Sequence, residues 1–196
     1  MIPRYTGAVM IAARKLAPIP KMSKLPLPFF LFLAACNSHL SPPAAAPAIT
    51  SPPATAPSII DRFAGPYRFL SNFYPATVVF EGLTYPDAEH AYQSAKTLDM
   101  TERRRIAALP TPAEAKHAGE ALKYRDDWPQ IKYQVMLTCV RDKFTRNPSL
   151  RTQLLATGNA YLEEGNTWHD QIWGVYQGQG TNWLGKILMQ VRGELR

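Results

Sequence analysis

The chain has 196 residues, with 22 basic and 15 acidic side chains and a formal net charge of +7. Residues 1–58 contain five of the basic residues, 11 of the 18 prolines and no acidic residue, so the remainder carries a net charge of only +2. The basic balance therefore belongs mainly to the first segment, which removes bulk charge as an argument for nucleic-acid binding by the rest of the chain.

Residues 1–58 have the layout of a secretory signal followed by a tether. Scattered basic residues precede an apolar run, Leu25 to Ala35, that is too short to span a bilayer as a helix. The run ends in Leu33-Ala34-Ala35-Cys36, which is similar to the lipobox of bacterial lipoproteins. The Pro/Ala-rich stretch 37–58 predicts a disordered tether. The alternative is an unstructured extension upstream of the true start codon, and the sequence favours neither.

The pattern of residues 59–196 predicts one compact α+β domain, mostly helical with a few short strands. Strands are expected at 67–70, 77–81, 160–162 and 172–176. Helices are expected from Asp87, from Thr101 to about Leu109, from Thr111, from 126 to about 147, from Pro148 to Gly158 and from Asn182. Asp87 is a good N-cap, and Thr111-Pro-Ala-Glu114 is a capping box with proline at the first helical position.

The buried faces of the two longest helices can be predicted from their apolar spacing. The positions expected inside are Ile131, Val135, Met136, Val140 and Phe144 in one helix and Leu184, Ile187, Leu188 and Val191 in the other. The two cysteines lie in different segments, so a disulfide is not expected, and Cys139 is interpreted as a small buried hydrophobe. The four histidines are scattered, with no pair at i, i+4, so we expect neither a metal site nor a cofactor.

The helix that follows Asp87 carries the most informative pattern. On a helix, Glu89, Tyr92, Gln93 and Lys96 share one polar stripe, at i, i+3, i+4 and i+7. Such a stripe faces either solvent, which is usual for charged residues, or a site. The opposite face offers Ala88, Ala91, Ala95 and Leu98 for close packing. A partly desolvated lysine beside a carboxylate can act as a nucleophile, with the carboxylate moving its proton.

Two further groups of residues could line the same site. The first is aromatic: Phe73 and Tyr74 lie in the first predicted loop. Trp128 and Trp173 stand at predicted element boundaries, where they either fill the core or stack on a planar base. The second is the segment from Trp173 to Gly185, in which Gly178 and Gly180 precede a helix N-terminus. Bare backbone N–H groups there would suit a phosphate, and the alternative is a tight strand-to-helix turn.

Taken together, these motifs resemble those of the NADAR family and follow one another in the same order. The resemblance extends from about residue 67 to the C-terminus. The matching residues are Phe69-Leu-Ser-Asn-Phe-Tyr74, Glu89-His-Ala-Tyr-Gln-Ser-Ala-Lys96, Arg125-Asp-Asp-Trp128, Asp170-Gln-Ile-Trp-Gly174 and Gly178-Gln-Gly-Thr-Asn182, with Leu184-Gly185 and Arg192. One departure is Val175, where some relatives carry an acidic residue, and it bears on the substrate rather than on the reaction type.

The resemblance implies an N-glycosidase acting on ribosylated or ADP-ribosylated heterocycles, such as the ribosylaminopyrimidine phosphates of riboflavin synthesis. It places Lys96 as the nucleophile that forms a Schiff base with the opened sugar, and Glu89 as the acid/base carboxylate. The substrate-binding residues expected from the motifs and the resemblance are Asn72, Phe73, Tyr92, Gln93, Trp128, Asp170, Trp173, Gly174, Gly178, Gly180 and Asn182. The alternatives are an ADP-ribosyl-guanine hydrolase and a non-catalytic module that binds ADP-ribose or a related nucleotide.

The expected partner is therefore a small nucleotide-like molecule. A nucleic acid would be a partner only as an ADP-ribosylated substrate, and a membrane only through lipidation of Cys36. The resemblance implies a cytoplasmic protein, whereas the Leu33-Ala34-Ala35-Cys36 motif implies lipid-anchored export. The oligomeric state is left open by the sequence.

Overall fold

A computed structural model describes residues 57–196. This part of the chain is α+β, as predicted, with seven helical segments and six strands of two or three residues. No helix among the described residues combines the length and the apolar character needed to cross a membrane. The expected signal-like segment, its Cys36 and nearly all of the Pro/Ala tether lie outside the described residues.

The helices and strands follow one another in an irregular order. A 3-10 helix occupies Gly65–Leu70. The α-helices are α1 Ala88–Ser94, α2 Met100–Ala107, α3 Pro112–Glu120, α4 Trp128–Arg146, α5 Pro148–Ala156 and α6 Trp183–Glu194. The strands are β1 Ile59–Ile60, β2 Val78–Phe80, β3 Leu83–Tyr85, β4 Tyr161–Leu162, β5 Gly165–Asn166 and β6 Val175–Tyr176.

The six strands form three separate two-stranded sheets. β2 and β3 are an antiparallel hairpin in which Val78 lies opposite Tyr85. Its turn residues, Glu81 and Gly82, both have positive φ, which matches the right-handed twist of a two-residue hairpin. β1 pairs with β4, and β5 pairs with β6, both in parallel.

Two of the predicted helix starts are confirmed by their hydrogen bonds. The Asp87 side chain accepts from the backbone N–H of His90 at 2.9 Å and so caps α1. At α3, the Thr111 hydroxyl accepts from the Glu114 backbone N–H at 3.2 Å and donates to the Glu114 carboxylate at 2.8 Å. Each side chain satisfies a backbone group that the first turn of a helix leaves without a partner.

Two of the predicted strands are wrong in whole or in part. Residues 67–70 belong to the 3-10 helix, where Phe69 and Leu70 are both buried. A strand could not bury two successive side chains on one face, because its side chains alternate. Of the strand expected at 172–176, only Val175 and Tyr176 pair, and their partner is the short strand β5.

The core lies around α4, which packs against α1, α6 and β2. Helix α1 is central, since it packs against α2, α3, α4 and both strands of the hairpin. The inner positions predicted for α4 and α6 are buried, with Ile131 partly so, and Cys139 is fully buried. Leu98, expected to pack behind α1, is instead 65% exposed, because α1 ends at Ser94 and the chain turns away.

Candidate active site

A cavity of about 930 Å³ opens beside α1. Its walls come from α1, α3, the start of α4, the Ser71–Phe73 loop and the segment between Glu164 and Trp173. A smaller cavity of about 230 Å³ adjoins it and shares Ser71, Glu164 and Trp168 with it. The large cavity is of the size that holds a nucleotide-like ligand.

The polar stripe of α1 faces this cavity. Glu89, Tyr92, Gln93 and Lys96 all line it, and each is at most 7% exposed. Lys96 lies just beyond the last turn of α1, so the stripe continues past the helix end. The choice between solvent and site is therefore decided by burial, since a solvated face would be exposed.

The Glu89 carboxylate is buried and hydrogen-bonded. Gln93 Nε2 donates to Glu89 Oε1 at 2.7 Å, one helical turn along α1. Gly119 of α3 lies against Gln93, where a methyl group would collide with the glutamine side chain. Burial raises the pKa of Glu89 to about 7, against the opposing effects of the Gln93 hydrogen bond, Lys116 and Lys96.

The Lys96 amine lies among aromatic rings. Lys96 Nζ donates to the Tyr124 hydroxyl at 3.4 Å and lies 4.9 Å from the centre of the Tyr124 ring. Burial lowers the pKa of Lys96, and the negative charges of Glu89 and Glu120 oppose that shift. A lowered pKa increases the fraction of free amine at neutral pH, which is the form that attacks carbon.

An aromatic wall extends from Lys96 across the cavity. The Tyr92 ring lies 5.2 Å from that of Trp128 and 5.3 Å from that of Trp173, and Trp173 continues onto Trp183 at 5.3 Å. Such tilted and edge-to-face pairs fix ring orientation. Trp128 and Trp173 are thus both packed in the core and exposed to the cavity on one side.

The loop of Asn72 and Phe73 is held from beneath by a buried lysine. Lys143 Nζ, in the last turn of α4, donates to the Ser71 carbonyl at 2.7 Å, and burial lowers the pKa of Lys143 to about 7. Asn72 Nδ2 donates to Met136 Sδ at 3.1 Å. Among the described residues, nothing donates to Asn72 Oδ1, so this buried acceptor is available to a ligand in the cavity.

Asp170 organises the loop between β5 and β6. Its Oδ1 accepts from the backbone N–H groups of Ile172 and Trp173, at 2.8 and 2.9 Å. Asn166 completes the loop by donating to the carbonyls of Asp170 and Val175. Asp170 and Trp173 both line the cavity as a result.

The segment predicted to bind phosphate does not form part of the cavity wall. Gly174, Gly178, Gly180 and Asn182 do not line the cavity. At the end of the segment, the backbone N–H groups of Thr181, Asn182, Trp183 and Leu184 donate to carbonyls of residues 171–174. The segment forms a tight turn between β6 and α6, and its binding of a phosphate stays a prediction.

Within 57–196, no group of three or more His, Cys, Asp and Glu side chains is arranged to hold a metal ion. His90, next to Glu89, is buried in the core with Nδ1 2.8 Å from Asp87 Oδ1 and Nε2 3.1 Å from the Leu109 carbonyl. Both ring nitrogens therefore have protein partners, which gives His90 a structural part.

The family model of the NADAR domain matches residues 61–196. The chain belongs to the NADAR family. Its NADAR domain is 37% identical over 132 residues to N-glycosidase YbiA of Escherichia coli, a match that covers 66% of this chain and 82% of that protein. It is 39% identical over 131 residues to the riboflavin biosynthesis protein VVA0006 of Vibrio vulnificus, covering 65% of this chain but only 35% of the relative.

The fold agrees with these sequence matches. The NMR structure of the E. coli protein YbiA superimposes on the chain with a TM-score of 0.63 and 35% identity, covering 70% of this chain and 85% of that one. The NADAR domain of this chain thus shares both sequence and architecture with YbiA, whereas it spans about a third of the length of the Vibrio relative.

Several cavity residues of the NADAR domain were not anticipated from the sequence. They are Arg68, Lys116, Glu120, Tyr124, Lys132, Glu164 and Trp168. Tyr124 directly precedes the motif Arg125-Asp-Asp-Trp128, and this position could have indicated that it lies at the cavity. Glu164 had no comparable signal, since Glu163 and Glu164 are adjacent and only strand pairing decides which one lies at the cavity.

Proposed function

We propose that this NADAR domain is an N-glycosidase that hydrolyses the bond between a ribose and a heterocycle through a covalent intermediate on Lys96. Relatives bear the name N-glycosidase, which supports a hydrolase acting on N-glycosyl bonds. The observation that carries the finer proposal is the placement of a buried lysine and a buried carboxylate in one aromatic cavity.

Lys96 supplies the nucleophile. Its amine attacks C1 of the ribose, the bond from C1 to the heterocycle breaks, and the opened sugar is held as a Schiff base. Water then adds to C1 and releases the sugar. Glu89, on the same stripe, takes a proton from the attacking nitrogen and returns it to the ring oxygen as the sugar opens. A carboxyl with a pKa of about 7 can perform both transfers near neutral pH.

The aromatic wall supplies the binding site for the heterocycle. Tyr92, Trp128 and Trp173 present rings on which a planar base can stack, at a benefit of about 1–3 kcal/mol per stacked base. Asn72 Oδ1 and Gln93 Oε1 are buried acceptors without donors among the described residues. Both can receive hydrogen bonds from amino groups of the base, which suits an aminopyrimidine.

The size and charge of the cavity favour a second candidate, an ADP-ribosylated base such as guanine. A volume of about 930 Å³ exceeds what a ribosylated pyrimidine fills. Arg68, Lys116 and Lys132 also line the cavity and could neutralise a diphosphate. The two candidates share the reaction and differ in what occupies the outer part of the cavity.

Reductive trapping tests the mechanism. Borohydride added during turnover should attach the sugar irreversibly to Lys96, as found by peptide mass spectrometry. Lys96→Ala should lower kcat/KM by at least about 10³-fold and abolish the adduct, while Lys123→Ala, an exposed lysine outside the cavity, should match the unsubstituted protein. Full hydrolytic activity in Lys96→Ala would show that the mechanism is wrong.

A turnover panel tests the substrate. It compares ribosylaminopyrimidine phosphates, ADP-ribosylguanosine and ADP-ribosylated DNA, with release of the free base as the readout. The larger kcat/KM identifies the substrate class. Saturable binding measured by calorimetry with no released base from any member would support a binding module and contradict the enzyme.

A further inference from the structure

Glu164 is a second carboxyl group in the large cavity, and the chemistry assigned to Lys96 and Glu89 does not use it. It comes from the segment between β4 and β5, whereas Glu89 belongs to α1. Glu164 lines both the large cavity and the smaller one beside it. Its neighbour Glu163 lines neither.

The main chain of Glu164 is fixed from both sides. Its backbone N–H donates to Asn182 Oδ1 at 3.1 Å, and its carbonyl accepts from the Val175 N–H at 2.9 Å. Asn182 is itself anchored, since Nδ2 donates to the Leu162 carbonyl at 2.9 Å. Gly174 is required beside it, because a methyl group there would collide with the Glu164 carbonyl oxygen.

This arrangement gives the Trp-Gly and Gly-x-Gly-Thr-Asn motifs a purpose. Asn182 adopts a left-handed conformation, with φ of 54°, and leaves its own helix uncapped by its side chain. Asparagine adopts this conformation more readily than most residues, because its short polar side chain can hydrogen-bond locally. Here the side chain that would ordinarily cap α6 holds the backbone of Glu164 instead.

The charges around Glu164 favour its neutral form. Partial burial and, to a smaller extent, the negative charges of Asp170 and Glu89 raise the pKa of Glu164 to about 8, and only the Lys116 charge opposes them. No described residue contributes a hydrogen bond to its carboxyl group. Glu89 differs, because the Gln93 amide donates to it and favours the ionised form.

We infer that Glu164 is the general acid that protonates the departing heterocycle, and that Asn182 and Gly174 are its positioning residues. The inference rests on the proposed N-glycosidase reaction and divides its proton transfers between two carboxyl groups. Glu89 serves the lysine nitrogen and the ring oxygen of the sugar, whereas Glu164 serves the base.

The step balances as follows. The Lys96 lone pair forms the bond to C1, the bond from C1 to the heterocycle breaks, and its electron pair remains on the heterocycle nitrogen. That nitrogen takes the proton of the Glu164 carboxyl group, which becomes a carboxylate. When water later adds to C1 of the Schiff base, the Glu164 carboxylate accepts the proton of the water and the acid is restored.

Leaving-group dependence tests the inference. Glu164→Gln should lower kcat by about 10²–10³-fold on a substrate with a basic heterocycle, and by less than about tenfold on 4-nitrophenyl riboside, whose leaving group needs no proton. With the basic substrate, activity of the unsubstituted protein should fall as pH rises above about 8, and Glu164→Gln should lose this limb. Glu163→Gln is the matched control and should behave as the unsubstituted protein.

A second variant tests the positioning residues. Asn182→Gly permits the left-handed conformation and removes only the side-chain hydrogen bonds, so it should reproduce the leaving-group dependence in a weaker form. Borohydride trapping from 4-nitrophenyl riboside should still label Lys96 in both variants, which shows that the site is folded.

The outcomes separate the two proposals. Equal losses of Glu164→Gln on both leaving groups, or no loss on either, would overturn the general-acid assignment while leaving the Lys96 mechanism in place. Absence of base release and of any Lys96 adduct in the unsubstituted protein would overturn both.

Discussion

Helix α1 and the turn from Gly174 to Asn182 contribute to one site in opposite ways. Helix α1 contributes side chains that line the cavity directly. Residues of the turn do not line the cavity, and the N–H groups of Val175, Tyr176, Gln179, Thr181 and Asn182 donate to backbone carbonyls. Both regions carry motifs that the sequence associates with ligand binding. They differ in the structure, because the polar side chains of α1 face the cavity and most N–H groups of the turn donate to backbone carbonyls.

The strongest test of the role of α1 is Glu89→Gln. We expect kcat/KM to fall by about 10²–10⁴-fold, because proton transfer from the lysine nitrogen is lost. The ionised carboxylate is the active form, so activity of the unsubstituted protein should rise with pH through about 7. The pH–rate profile of the variant should lack this rising limb. The measurement is a pH–rate profile, and a variant that retained the limb would assign it to another group.

The same substitution should stabilise the fold at high pH. The folded pKa of Glu89, about 7, exceeds the ordinary value of 4.5, so the folded state binds the proton more tightly and stability falls as pH rises from about 4.5 to 7. Glu89→Gln should therefore raise the free energy of unfolding by up to about 3 kcal/mol at pH 8, with the gain absent below pH 4.5. Urea unfolding at both pH values checks this, and an equal effect at both would contradict it.

Substitutions of two glycines with different surroundings test the turn from Gly174 to Asn182. Ala at position 180 would collide with the Gly174 carbonyl and take a φ of 153°, so Gly180→Ala should destabilise the fold by about 2–4 kcal/mol. Gly178 has φ of 75° and open space around it, so Gly178→Ala should cost about 1–2 kcal/mol.

Kinetics of Gly178→Ala then distinguish a supporting turn from a phosphate loop. We expect KM for a phosphorylated substrate to be unchanged, because the turn lies away from the cavity. A tenfold rise in KM with unchanged stability would restore the phosphate assignment made from the glycine spacing.

The smallest expected effect belongs to Tyr124→Phe. It removes the hydroxyl that accepts from Lys96 at 3.4 Å and keeps the ring beneath the amine. Loss of one long hydrogen bond should lower kcat by about fivefold, roughly 1 kcal/mol. Tyr67→Phe, a partly buried tyrosine outside the cavity, serves as the control. A loss of 10²-fold or more would give the hydroxyl a direct part in proton transfer.

Much of the fold followed from local signals. Asp87 and Thr111 begin their helices as predicted, because capping depends on side chains within three residues. The strands were predicted less well: β1 and β5 are two residues long and exist only through their parallel partners. Such pairings depend on residues about a hundred positions apart for β1, and no local pattern encodes them.

The site shows the same division. Helical spacing was enough to place Glu89 and Lys96 on one side, and the motifs placed Trp128 and Trp173 nearby. Glu164 was missed because its role depends on the pairing of β1 with β4 and on the Asn182 hydrogen bond. Asn182 was assigned to a ligand because a helix N-terminus without its context indicates an anion site.

The sequence by itself determined the helix caps at Asp87 and Thr111 and the lysine–carboxylate stripe of α1, since each depends on spacing within a few residues. It also determined the family, through motifs that keep one order along the chain. The tertiary structure decided that the stripe is buried against a cavity, that the glycine turn lies outside the cavity wall, and that Glu164 lines the cavity. These depend on which groups lose water and which N–H groups find carbonyl partners, and both are fixed only when distant segments pack together.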